Sequence, residues 1–314
     1  MIPIEVGQLT SLRLLYFYDN QLTGSIPGEM GQLTALEYLT LYKNLFTGTV
    51  PSSIAQLLAL ERLYLDNNLL TGTIPTHLGQ LSSLAILALN ANQLTGTVPS
   101  EVGQLFALKA LSLQNNHLTG SIPSLIWHLT LLEYLTLYTN NLTGTIPSTV
   151  GQLQALEVLY LYSNQLTGSI PHEVGQLTGL AYFSLHLNQL TGTIPSSIGQ
   201  LKALEVLYLD NNQLTGGTPS MIGQLVNMDE LWLFENYLGG VLPSEMSNMR
   251  KLASLFLHDN CLTGRVQGVF NHTAQQALVT VDMSNNRLSG LSRRNCFCCL
   301  SSRCSRSLVS NILC

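Results

Sequence analysis

Aliphatic side chains recur along this chain on a period of 24 residues that holds until near its end. One unit reads Leu156-Glu-Val-Leu159-Tyr-Leu161-Tyr-Ser-Asn164-Gln-Leu166-Thr-Gly168-Ser-Ile170-Pro171-His-Glu-Val174-Gly-Gln-Leu177. Its apolar positions are Leu156, Leu159, Leu161, Leu166, Ile170, Val174 and Leu177. Around Leu159 and Leu161 the alternation has period two, which predicts a short strand with one face turned inward. The Thr-Gly pair predicts a turn. Ile-Pro predicts an extended segment, because proline excludes helical geometry from the residue before it. Val-Gly-Gln-Leu then returns on the far side, too short and glycine-broken for a long helix.

The same phase governs other residue types. All 11 prolines lie on it, from Pro3 and Pro27 to Pro243. Asparagine keeps it from Asn20, Asn44 and Asn68 to Asn260, and Asn286 follows after 26 residues. Such a phase marks a one-dimensional array whose units cannot fold singly, because each buries its apolar face only against its neighbours. The asparagine column is expected to point inward and bond the backbone where each coil leaves its strand, since an amide offers two donors and an acceptor.

The pattern LxxLxLxxNxLTGxIPxxLGQLxxL resembles the plant-type leucine-rich repeat of receptor-like proteins, receptor kinases and polygalacturonase inhibitors. The resemblance covers residues 1–286, about 12 repeats of 24 residues. It implies an α/β solenoid, a right-handed horseshoe or twisted superhelix. A parallel sheet would line its concave face, short 3-10 or helical turns its convex side, and the LTGxIP segment would add strand-like pairing on the flank. It also implies a protein or peptide ligand on the concave face, a possible co-receptor, and a place outside the plasma membrane or in the secreted fraction. The alternatives are a soluble, secreted or cytoplasmic repeat protein that binds or inhibits another protein, and the ectodomain piece of a receptor kinase.

Charge and chain ends refine this picture. Residues 1–286 carry 18 acidic and 8 basic side chains, a formal −10, which argues against nucleic acid as a partner. No apolar run is long enough to span a bilayer. Ile2-Pro3 falls in phase with Ile26-Pro27, so the chain opens halfway through a repeat without an N-terminal cap, and it reads as a fragment. Asn141-Leu-Thr143 and Asn271-His-Thr273 are glycosylation sequons for a secreted setting. Near the other end Gln267 replaces the repeat proline and Thr273 the inner leucine. Residues 287–314 form a Cys/Ser/Arg-rich tail with five arginines and no acid. Three readings stand for it: a zinc site of Cys296, Cys299, Cys304 and Cys314, a disulfide-stapled cap remnant, or a disordered or out-of-frame end.

Catalysis has no foothold in the sequence. Histidines fall at scattered phases, and no nucleophile–base pair, phosphate-cradling loop or metal-ligand spacing is legible. No catalytic residue, cofactor or metal is expected. The outward strand positions are different, because they hold 11 of the 12 tyrosines. One group is Tyr134, Tyr138, Tyr160, Tyr162, Tyr182 and Tyr208, joined by Trp232, Phe234 and Phe256. A second patch is Tyr16, Tyr18, Tyr38, Tyr42 and Tyr64, and small or polar residues such as Ala88, Asn90 and Ser112 lie between the two groups. Such rings are typical binding hot spots, although rings one strand apart also stack and stabilise a sheet. Asp19, Asp66, Asp210, Glu230, Glu235, Asp259 and Asp282 share the face with only Lys43 and Arg62, so a basic or neutral polar partner fits it. At about 4.8 Å per strand, 12 strands give roughly 50 Å, the reach of an extended peptide.

Overall fold

The computed structural model describes residues 1–289. Contacts divide the chain into two compact units, Met1–Gln165 and Leu166–Cys314. In the first, the strands Leu14–Tyr16, Tyr38–Thr40, Arg62–Tyr64, Ile86–Ala88, Ala110–Ser112, Tyr134–Thr136 and Val158–Tyr160 pair in parallel in chain order. In the second, Tyr182–Ser184, Val206–Tyr208, Glu230–Trp232, Ser254–Phe256 and Thr280–Asp282 do the same. Each residue faces its equivalent one repeat on, as Leu39 faces Leu63, and the longer last step sets Phe256 against Asp282. The middle residue of each strand points inward: Leu39, Leu63, Leu87, Leu111, Leu135, Leu159, Phe183 and Leu207 are fully buried. The flank pairs too, as Thr95–Thr97 beside His117–Ser121 beside Asn141–Thr143.

The far side of each coil is a five-residue 3-10 helix, from Ile4–Gln8 to Ser244–Asn248. Each starts after the repeat proline, whose fixed φ sets the entry, for example −70° at Pro99. These turns pack tightly. A Cβ added to Gly79 would lie 2.4 Å from the Glu101 carbonyl oxygen, so the column requires glycine there. Trp127 occupies the same column and is fully buried, and its turn packs less closely on the next one.

The asparagine column does what the sequence predicts. Asn164 Nδ2 donates to the carbonyls of Leu137, Leu161 and Tyr162 at 3.1, 3.0 and 3.2 Å, and its Oδ1 accepts from the Leu142 N–H at 3.0 Å. One side chain therefore joins its own coil to the coil before it. The residue preceding each ladder asparagine has positive φ, and at Leu187, with φ 53°, this falls on an aliphatic residue that gains nothing from it. The bracing amide bonds of Asn188 to the Leu185 and His186 carbonyls keep that turn in place.

The last coil departs from the repeat where the sequence does. With Gln267 in place of proline, the 3-10 helix gives way to turns over 267–269 and 272–274. Gln275, only 1% exposed, fills the inside: its Nε2 donates to the Met246 carbonyl at 2.9 Å and its Oε1 accepts from the Asn271 N–H at 2.8 Å. Asn286 still completes the ladder, accepting from the Leu262 N–H and donating to the Leu257 carbonyl, both at 2.9 Å. The tail cysteines Cys296, Cys298, Cys299, Cys304 and Cys314 lie outside the described residues.

Candidate ligand-binding face

Strand alternation sends the residues on either side of each buried leucine to the opposite face, and there the aromatic side chains gather. In the first unit Tyr18 and Tyr42 stack at 4.8 Å, with Tyr16 and Tyr64 edge-on to them at 6.4 and 6.2 Å. Arg62 is not an isolated cation: its guanidinium sits 4.9 Å above the Tyr38 ring. Together with Thr40 and Asp66 these residues line an open recess of about 540 Å³. Burial pushes the Asp66 carboxyl above its ordinary range. Tyr138 and Tyr162 stack at 4.3 Å, Tyr160 meets both edge-on, and the Tyr134 hydroxyl donates to Glu157 at 3.1 Å.

In the second unit the Tyr182 hydroxyl donates to Glu205 at 3.0 Å, and that of Tyr208 to Glu230. Tyr208 stacks on Trp232 at 4.1 Å, Phe256 lies edge-on to Trp232 at 5.5 Å, and Phe234 packs against His258 at 4.4 Å. In one column with His186 and Phe234, which stand one repeat to either side, sits Asp210, 3% exposed; burial pushes its carboxyl up to about 6. Its folded pKa thus lies above the unfolded 3.8, so this group costs stability as pH rises through that interval.

All fourteen aromatic residues expected on the face are there, half-buried or exposed, and Tyr16 and Tyr18 are the most open at 50% and 46%. They form two sets within the described units, and neighbouring rings in each set stack or meet edge-on. The sequons Asn141 and Asn271 are both exposed. Asn271 is set in a local turn, its Oδ1 accepting from the Thr273 hydroxyl at 2.7 Å. Sequence reasoning missed two features. The burial of Asp210 is one, although His186 and Phe234 stand one period to either side of it. The other is a nucleophile–base contact, Ser184 Oγ to His186 Nδ1 at 2.7 Å. Ser184 is only 1% exposed, so this pair holds a strand and cannot reach a substrate. Among the described residues no group of three or more His, Cys, Asp or Glu side chains could hold a metal, and no helix is long and apolar enough to cross a membrane.

Comparison with known proteins fits this architecture. The leucine-rich repeat signature matches residues 130–190, and single repeats match at 11–33, 35–57, 59–81, 107–129 and 203–225. The chain belongs to the leucine-rich repeat family. It is similar to the Arabidopsis receptor kinase HAESA, solved with the peptide hormone IDA and the co-receptor SERK1, at 35% identity and a TM-score of 0.86. That match covers 92% of this chain and 48% of the solved HAESA chain, so this chain spans about half the length of that one. It is also similar to the leucine-rich repeat protein LIC12759 of Leptospira interrogans (32% identity, TM-score 0.61, 96% of this chain and 85% of that one). A plant ice-binding protein matches at 27% identity and a TM-score of 0.58, over 88% and 84%. No curated protein matches the sequence significantly.

Proposed function

We propose that the chain is the non-catalytic ligand-recognition part of a receptor-like surface protein. It would be displayed outside the plasma membrane, take an extended peptide or the edge of a protein on its aromatic strand face, and hand the signal to a co-receptor in signalling or defence. The observation that carries this reading is the gathering of 11 of 12 tyrosines, with Trp232, Phe234 and Phe256, on the outward strand positions. Such rings bury much area at little rotamer cost and keep a polar tip. The similarity to a receptor kinase crystallised with a peptide hormone supports the ligand class, and the exposed sequons support the compartment. The test is selection of peptides on the full chain, followed by hydrogen exchange of the complex. Protection is expected in strands such as Val158–Tyr160 and Val206–Tyr208; protection confined to the 3-10 turns removes the reading.

A second reading is favoured by one feature of the flank. Thr71-Gly-Thr73, Thr95-Gly-Thr97 and Thr191-Gly-Thr193 present exposed threonines at equivalent places in their coils. Hydroxyls of Thr71, Thr95 and Thr119 donate to the glycine carbonyl one coil back at 3.2–3.3 Å, which fixes their rotamers. Gly72, at φ 76°, has no room for a Cβ beside the Thr49 methyl. A repetitive array of methyls and hydroxyls suits ordered water, as the similarity to an ice-binding protein suggests. Inhibition of ice recrystallisation, abolished by Thr71→Lys with Thr95→Lys, would establish it; an inactive parent chain removes it.

A further inference from the structure

Asp210, Trp232 and His258 share an unusual condition. Asp210 Oδ1, Trp232 Nε1 and His258 Nδ1 are all shielded from solvent without a hydrogen-bond partner. A buried polar atom left this way costs on the order of 1–3 kcal/mol, more when charged, and here three lie on neighbouring strands, with Asp210 and His258 two repeats apart on either side of Phe234. Asp210 Oδ2 is held at 3.1 Å by Asn211 Nδ2, which fixes the carboxyl and leaves Oδ1 open to a second group. Strand register brings the neighbours together: Tyr208 pairs with Trp232, and Trp232 with Phe256. The indole is stacked by Tyr208 and edged by Phe256, and the imidazole of His258 lies against Phe234.

The charges around the cluster have one sign. Glu235 acts on Asp210 from the next strand, Glu230 on that strand accepts from the Tyr208 hydroxyl, and Asp259 and Asp282 lie further along. The outward positions of these strands carry no lysine or arginine from Tyr182 to Asp282. Among the groups facing Asp210, Glu235 raises its pKa and a protonated His258 would lower it, while burial holds His186, one repeat back, below the ordinary imidazole range.

We propose that Asp210, Trp232 and His258 form a cation-accepting subsite that takes the guanidinium or ammonium group of a basic side chain in a peptide ligand. The chemistry of the open atoms defines the ligand. A carboxylate oxygen in an aromatic surround lacks only a donor carrying positive charge, and a guanidinium stacks on indole while donating at its edge. The unpaired imidazole nitrogen can accept from the same group. The indole N–H is left for a peptide carbonyl, which is why a side chain attached to backbone fits better than a free cation. The half-buried rings of Trp232 and Phe234 would part to admit it.

This subsite rests on the peptide-binding reading, and the test separates the two. The chain has two tryptophans. Trp127 is fully buried in the first unit, so its indole N–H resonance serves as an internal control for that of Trp232. N-acetyl-arginine amide or N-acetyl-lysine amide should shift the Trp232 signal and leave Trp127 in place, whereas the neutral N-acetyl-citrulline amide should not. Comparing the two cationic probes shows which head group is preferred. Asp210→Asn, nearly isosteric, should weaken the response about tenfold or more. It should also abolish the rise in affinity between about pH 5 and pH 7 that carboxyl ionisation gives the parent chain. No response to either cation, an equal response to citrulline, or undiminished binding by Asp210→Asn overturns the subsite. A peptide bound on the strand face by a chain that ignores both cations overturns the subsite alone. Cation binding by a chain that selects no peptide overturns the peptide reading alone.

Discussion

Replacing Asn164 by leucine should lower the unfolding free energy by about 2–4 kcal/mol, although leucine is the commonest interior residue of this chain. The reason lies in the four bonds of one amide. Without Oδ1 the Leu142 N–H is stranded inside the stack, a loss of about 1–3 kcal/mol for a buried donor. The Leu137 carbonyl keeps a second donor, Asn140 Nδ2 at 3.1 Å, so its loss is partial. The bond to Tyr162 O goes as well, and with it the brace on the positive-φ turn at Ser163. Urea unfolding of the full chain measures this; an unaltered midpoint would mean the amide bonds do not hold the coils together.

The second large effect belongs to Trp127. Most coils place glycine in its column, as at Gly79, Gly103 and Gly175, so restoring a small residue would look like a repair. The structure predicts the reverse. Trp127 is the largest fully buried side chain among the described residues, and its turn, Ser124–His128, stands less tightly against Ser148–Gln152 than a glycine-bearing turn such as Thr76–Gln80 does against the next one. A side chain in this column points at the next turn, as a Cβ on Gly103 would at Leu125, so that space accommodates the indole. Trp127→Ala should therefore cost about 3–5 kcal/mol through lost burial and an unfilled cavity, the lower figure applying if the turns close up. Stabilisation on this change would show that the coils prefer the regular spacing and that the tryptophan strains them.

Much of this was legible from periodicity, because a strict 24-residue step names the spatial neighbours of every residue in advance. It placed the leucine rows, the inward asparagines and the outward tyrosines, and it located the last coil where Gln267 replaces proline. What it did not reveal depends on how neighbours interact once they meet. Leu187 carries no chemical hint that its backbone is left-handed; only its position before Asn188 says so. Asp210 looked like one more surface acid, yet the aromatic neighbours of its strand bury it, and carboxylate burial is a property of the group and not of the residue. Trp127 stands in a column that is glycine in most coils, and one-dimensional patterning does not show where two turns stand apart. Whether the outward rings serve stacking, binding or both is likewise unreadable in sequence, because both uses select tyrosine.

That question is open to one decisive measurement: titration of a selected peptide against the parent chain and against Tyr160→Ala with Tyr208→Ala, alongside the unfolding midpoint of each. Tyr160 meets its neighbours edge-on and Tyr208 stacks on Trp232, so removing the two should lower stability by about 0.5–1.5 kcal/mol apiece. Display of the face for recognition predicts, beyond that, a loss of affinity of at least about tenfold with the array still folded. Full affinity in a measurably less stable variant would leave the tyrosines as mortar between strands and contradict the account.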